Sequence, residues 1–166
     1  EEASGSDGGG GGSADGGGDA EKAIVEADVI QVDGDHLFAL SQYGGLTVVD
    51  MTNPSQLSIL GRYRVQGMPF EMYLRDGVVY AMFSSFGQWE CDADYESCEY
   101  ITSSHIEALD ISNPANIVKI GSVDLPGENS DSRIVGDVLY ADSYENGYCW
   151  NCQEQPRTVV TSINVE

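Results

Sequence analysis

Residues 45–54 read G-L-T-V-V-D-M-T-N-P, and residues 105–114 read H-I-E-A-L-D-I-S-N-P. Each decapeptide runs apolar into an Asp and then, three residues on, into Asn-Pro. A second apolar stretch containing a Gly follows each one, S-I-L-G-R-Y at 58–63 and V-K-I-G-S-V at 118–123. A short run built around an aromatic precedes each one, H-L-F-A-L-S at 36–41 and V-V-Y-A-M-F at 78–83. A third copy opens with V-L-Y-A-D-S at 138–143 and closes with T-S-I-N-V-E at 161–166. Repeats of four short strands with a period of about 40–45 residues mark a β-propeller blade. The fold class is therefore all-β, built of four-stranded antiparallel blades.

The pattern predicts strands over 27–32, 36–41, 45–51 and 57–65 in a first blade. The second blade takes 70–74, 78–83, 106–111 and 117–125, and the third 132–135, 138–143 and 158–165. Asp33-Gly34-Asp35, Asp76-Gly77 and Gly136-Asp137 supply the tight turns after each first strand. Phe38, Tyr80 and Tyr140 take one position in each second strand; Asp50, Asp110 and Asn164 take one position near the end of each third. An Asp leaving a strand accepts backbone N–H groups two or three residues on, and Pro54 or Pro114 then stops the strand. Asp50, Pro54, Asp110 and Pro114 are accordingly read as turn-forming, not catalytic. Asn164 makes the same turn without the charge.

Blades over 24–67, 68–127 and 128–166 amount to about two and two-thirds of a repeat set, fewer than the minimum of about four that closes a ring. Open sheet edges invite pairing. The expectation is the N-terminal part of a longer propeller, with assembly of several chains into one ring as the alternative.

Residues 1–23 are almost entirely Gly, Ser, Ala and acids, which predicts a disordered linker ahead of the folded part. The net charge is −21 with only 7 Lys and Arg, so a phosphate backbone or an anionic lipid surface is not the partner. No stretch approaches the roughly 20 apolar residues of a membrane span. The chain begins at Glu1, and a long acidic tether suits a secreted or cell-envelope protein. A signal peptide and a lipid anchor upstream of residue 1 are expected on that reading.

Three segments resemble a known family, secreted bacterial and archaeal proteins with a C-terminal β-propeller domain, distantly related to WD-repeat propellers. V-E-A-D-V-I-Q-V-D-G-D-H-L-F-A-L-S at 25–41 is similar to the family's opening strand pair. L-T-V-V-D-M-T-N-P at 46–54 and I-E-A-L-D-I-S-N-P at 106–114 resemble its blade signature, and D-S-R-I-V-G-D-V-L-Y at 131–140 its recurring S-R-x-x-G-D segment. The resemblance implies export and frequent lipid anchoring. It carries over no catalytic residue.

Chemistry is expected in the two long connections between second and third strands, 84–104 and 144–157. They hold Trp89, Tyr95, Tyr100, Tyr148 and Trp150, which can stack on a sugar or anchor a partner. Packing of these rings against one another as a private core is the plainer reading. All four cysteines lie there too: Cys91, Cys98, Cys149 and Cys152. Loop cysteines in an exported protein read first as disulfides, with three connectivities open. Four thiolates around Zn²⁺ are the alternative, although C-x6-C is wider than the usual ligand spacing. Asp92, Asp94, Glu96 and Glu99 are spaced carboxylates of the kind Ca²⁺ takes, but the calcium loop's Gly and terminal Glu are missing. A solvated acidic loop is the first reading, and no cofactor is required. Catalytic motifs are absent from the sequence.

These observations point to an exported propeller scaffold that binds a protein or glycan at the cell surface through cysteine-stapled loops on one face. The alternative is a fragment of an exported propeller hydrolase or lyase whose catalytic residues lie in further blades.

Overall fold

A computed structural model describes residues 29–65, 67–84, 87–145, 148–151 and 155–166. The linker expected over 1–23 and the thiol of Cys152 lie outside these residues, as does the side chain of Cys149. The described chain is all strand and turn. Strands β1 (Ile30–Asp33), β2 (His36–Ser41), β3 (Gly45–Asp50) and β4 (Ser58–Tyr63) form a meander in that order. Next come β5 (Met68–Arg75) and β6 (Val78–Ser84), then a hairpin of β7 (Gln88–Cys91) and β8 (Cys98–Ile101), then β9 (Ser103–Asp110) and β10 (Val118–Pro126). Strands β5, β6, β9 and β10 make the second four-stranded sheet. The third is β11 (Glu128–Val135), β12 (Val138–Glu145) and β14 (Arg157–Asn164), and it has three strands. All pairing within these sheets is antiparallel.

The turns between first and second strands are two residues long in every blade, with Asp33 opposite His36, Arg75 opposite Val78 and Val135 opposite Val138. Asp76 and Gly77 both have positive φ, 48° and 78°, the geometry that matches a hairpin's own twist. The D-x-x-N-P turns repeat atom for atom. Asp50 Oδ1 accepts the Thr52 N–H at 2.8 Å, and Asp110 Oδ1 accepts the Ser112 N–H at 2.9 Å. Asn53 and Asn113 then accept the N–H of Ser55 and Ala115. Hydrogen bonds from Thr52 and Ser112 hold the Asp50 and Asp110 carboxyls below their ordinary pKa. Asn164 Oδ1 accepts the Glu166 N–H at 3.1 Å in the third copy.

Burial shows how the sheets stack. A strand alternates its side chains between two faces, and in the second blade both faces are buried. Met72, Val79, Ala81, Phe83 and Leu109 pack on Phe38, Leu40, Leu46 and Val48 of the first blade. Tyr73, Met82 and Ile106 pack on Ile134, Leu139 and Ala141 of the third, joined by Leu125 and Val165. Each Val, Leu, Ile, Phe or Met among them contributes about 1.5–3 kcal/mol when fully buried. Inner strands are tied across the interfaces as well. Gln31 Nε2 donates to Met72 O at 2.7 Å, and Ser132 Oγ bridges Tyr73 Oη (3.0 Å) and Glu71 Oε2. Arg75 donates to Gly136 O at 2.6 Å and pairs with Asp137.

Candidate functional site: an aromatic minisheet over two blades

The second-to-third strand connections, expected as loops, differ from that expectation. Residues 88–101 fold back on themselves as the β7–β8 hairpin, and the backbone of β13 (Cys149–Trp150) from the third blade adds to its other edge. Three local forces make a sheet here. Trp89 stands directly opposite Tyr100, an aromatic cross-strand pair. Cys91 stands opposite Cys98, and the two form a disulfide with a Cα–Cα distance of 4.1 Å. Asp92 closes the hairpin, its N–H donating to Ser97 O at 3.0 Å and its Oδ1 accepting the Glu96 N–H at 2.8 Å. The long connections of two blades are thereby joined into one object.

Its aromatic side chains divide into anchors and free faces. The Trp89 ring lies 5.4 Å from the Tyr100 ring and 5.6 Å from that of Tyr148, edge-on to the latter at 73°. The Tyr100 N–H donates to Tyr148 O at 3.1 Å, and Asn151 Nδ2 reaches Glu96 O at 3.4 Å, tying the two insertions together. Gly87 is required beneath this cluster, since a Cβ there would sit 2.2 Å from the Tyr100 ring. Tyr100 is half-buried, whereas Trp89 stays 52 % exposed and Tyr148 and Trp150 each 65 %. Tyr95 crowns the hairpin turn at 73 % exposure and adopts φ 56°, a left-handed conformation uncommon outside Gly, Asn and Asp. Ring packing and solvent exposure thus coexist: Trp89 makes ring contacts with Tyr100 and Tyr148 and still presents half its surface.

Tyr43 was not among the residues singled out from the sequence. It lies in the β2–β3 turn, the first blade's equivalent of the two insertions, and is 82 % exposed at the same end of the blades. Its position in the repeat was the available signal, masked by the shortness of that connection.

The alternative metal readings find no assembled site among the described residues. Among the described residues no three His, Cys, Asp or Glu side chains gather around a point where an ion could sit. Asp92 is engaged in closing the hairpin turn, and Asp94, Glu96 and Glu99 do not converge with it. A four-thiolate Zn²⁺ site is overturned by the Cys91–Cys98 disulfide, which removes two of the four ligands. The turn residues Pro54 and Pro114 sit beyond the other end of the strands, after Asp50 and Asp110, away from the minisheet. No helix among the described residues is long and apolar enough to cross a membrane.

Comparison with curated proteins and with solved structures returns no match. A family model described as a beta propeller domain matches residues 20–163. Its span covers the three blades and the minisheet together, and the chain belongs to the beta-propeller domain family.

Proposed function

We propose that this propeller is an exported scaffold that binds a protein or a glycan through the aromatic face of the minisheet. The observation that carries the reading is the grouping of Trp89, Tyr148 and Trp150, all more than half exposed, on a short sheet pinned by Cys91–Cys98 and by strands from two blades. Rigid, amphipathic rings lose little conformational entropy on binding, which is why Trp and Tyr dominate recognition surfaces. A scaffold that holds loops at one end of stacked sheets is a common platform for binding. The disulfide fits an oxidising compartment outside the cytoplasm. Glu90, Asp92, Asp94, Glu96 and Glu99 make the same hairpin strongly acidic, so the partner is neutral or basic.

Titration of the intrinsic tryptophan fluorescence with cell-envelope glycan fragments and with envelope protein extract tests this reading. Loss of a Trp at a binding hot spot costs about 2 kcal/mol or more, roughly a 30-fold weaker Kd. Trp89→Ala and Trp150→Ala should each produce a change of that order. Equal binding by wild type and both variants would show that this face is not the one used.

A further inference from the structure

Strand register divides the minisheet into two unlike faces. Successive side chains of a strand point to opposite faces. Trp89 and Cys91 therefore share one face with their cross-strand partners Tyr100 and Cys98, and Trp150, opposite Cys98, joins them. Gln88, Glu90 and Glu99 occupy the other. Glu90 stands directly opposite Glu99, a like-charge pair of the kind that destabilises a sheet. Gln88 Nε2 donates to Glu90 Oε1 at 2.9 Å, and among the described residues no cation pairs with either carboxylate. The backbone beside Glu90 shows an unused edge. The Tyr100 N–H donates toward β13, to Tyr148 O at 3.1 Å, so Tyr100 turns its hydrogen-bonding groups away from β7. In an antiparallel ladder its partner Trp89 then points N–H and C=O outward, and Cys91 does the same two residues on. The 4.1 Å Cα–Cα distance between Cys91 and Cys98 fits such a narrow, non-hydrogen-bonded pair. Every residue of β7 is exposed, and among the described residues no strand pairs with its outer edge.

We infer that this edge takes an extended, basic segment of a partner protein, which adds as a fourth strand beside β7. The inference rests on the protein-binding half of the proposed function and names the partner's form and charge. A glycan has no backbone amides to continue the ladder, whereas a polypeptide strand offers donors and acceptors to Trp89 and Cys91. Residues 88–101 carry Glu90, Asp92, Asp94, Glu96 and Glu99 and no Lys or Arg, so the complementary strand is basic. A Lys or Arg set beside Glu90 also offsets its repulsion from Glu99. The neighbours of that cation then lie beside Trp89 and Cys91, where apolar or aromatic side chains fit the ring-bearing face. Charge opposes two occupants from this chain. Residues 1–23 are Gly-rich and acidic, and a second copy would set one acidic hairpin against another. The third blade lends β13 to one side of the hairpin, but the first blade's corresponding connection, residues 42–44, is too short to lend a strand to the other.

The probes are a synthetic peptide with blocked ends that alternates Val with Lys, and its counterpart with Glu in place of Lys. Amide hydrogen exchange of the full chain, read residue by residue by NMR, reports on the edge. Without peptide, the Trp89 and Cys91 N–H groups should exchange fast, while that of Glu90, turned toward β8, is protected. At about ten times its Kd the Lys peptide should slow Trp89 and Cys91 roughly tenfold and change Glu90 little. The Glu peptide should do neither. Glu90→Lys alters an exposed side chain, so the fold is kept, and it should weaken the Lys peptide roughly tenfold. A Lys peptide methylated at the backbone nitrogens that face β7 should not bind. Slow exchange of Trp89 and Cys91 without peptide would overturn the inference, because residues of the chain itself then cover the edge. Equal binding of the methylated peptide would overturn it by placing the contact on side chains alone, and equal binding of the Glu peptide by removing the charge preference. Envelope glycan fragments bound in a manner sensitive to Trp150→Ala, with no peptide protection at β7, would overturn this inference alone. The aromatic-face reading itself falls only on binding indifferent to both Trp89→Ala and Trp150→Ala.

Discussion

Where the first blade meets the second, Phe83 fills the end of the interface nearest the minisheet; where the second meets the third, the same position is Ser143. Phe83 is fully buried, stacked on the His105 ring at 5.4 Å, and packed so closely that a Cβ on Gly67 would approach it to 2.9 Å. Its strand neighbour is Pro69. The corresponding pair in the third blade is Asn129 and Ser143. Asn129 Nδ2, Asn129 Oδ1 and Ser143 Oγ are all buried and have no hydrogen-bond partner among the described residues. The two interfaces share one backbone plan and an apolar middle, but at this end they are filled on opposite principles, one by an aromatic ring and the other by polar groups. The polar interface is the one beneath the joined insertions. The first and second blades are held by packing and by hydrogen bonds such as Gln31 to Met72, whereas the second and third are also tied from above by β8 and β13.

The largest expected effect breaks the apolar interface. Phe83→Ala should destabilise the protein by about 3–5 kcal/mol, measured as a fall in the urea midpoint at unchanged slope. A loss below about 1 kcal/mol would mean that this end of the interface is not closely packed. The next effect breaks the tie above the polar interface. A disulfide closing a loop of this length contributes about 2.5 kcal/mol by loop entropy, so replacing Cys91 and Cys98 together by Ser should raise hydrogen exchange in β7 and β8 roughly 60-fold. Exchange in β2 and β3 should not change, because those strands belong to a separate sheet.

Two serines within the polar interface should respond with opposite signs. Ser104 Oγ donates to Gly127 O at 2.8 Å and accepts the Asn129 N–H at 3.0 Å. Ser104→Ala strands that N–H and should cost about 1–3 kcal/mol. Ser143 Oγ is buried without a partner among the described residues, so Ser143→Ala removes a desolvated hydroxyl and should be neutral or stabilising by up to about 1 kcal/mol. Calorimetric midpoints moving the same way in both variants would contradict the contrast drawn between them.

The repeated runs made the blades legible in the sequence because each strand reports its own burial by alternation, and each turn by Gly, Asp or Asn-Pro. Phe38, Tyr80 and Tyr140 could be aligned on that basis, and Asp50 with Asp110. The minisheet could not be read that way. Its strands Gln88–Cys91 and Cys98–Ile101 are short, acidic and aromatic, and their third strand comes from residues about fifty positions later. Such a sheet is specified by cross-strand pairs and a disulfide, neither of which leaves a periodic trace. The contrast between Phe83 and Ser143 was visible in the aligned repeats, but its meaning depends on a neighbouring blade covering both positions. Exposure of Trp89 and Trp150 is likewise a tertiary property, since the same residues would read identically in a closed core.

The smallest expected effect concerns the ends of the strands remote from the minisheet, where the first two blades match each other most closely. The Asp50 and Asp110 carboxyls accept hydrogen bonds from Thr52 and Ser112, which lowers both pKa values in the folded state. A group with a lowered folded pKa binds fewer protons than its unfolded counterpart, so its stabilisation is present above the unfolded value and is lost as pH falls through the folded one. For these two groups the loss therefore begins near the ordinary aspartate value of 3.8 and grows as the pH falls below it. Replacing both by Asn keeps the turn acceptor, as Asn164 does in the third blade, and removes the proton that can be taken up. The Asp50→Asn, Asp110→Asn protein should melt close to wild type at pH 7 and lose less of its Tm between pH 5 and pH 3. An acid limb as steep as wild type would place the titrating groups elsewhere among the protein's 28 carboxylates.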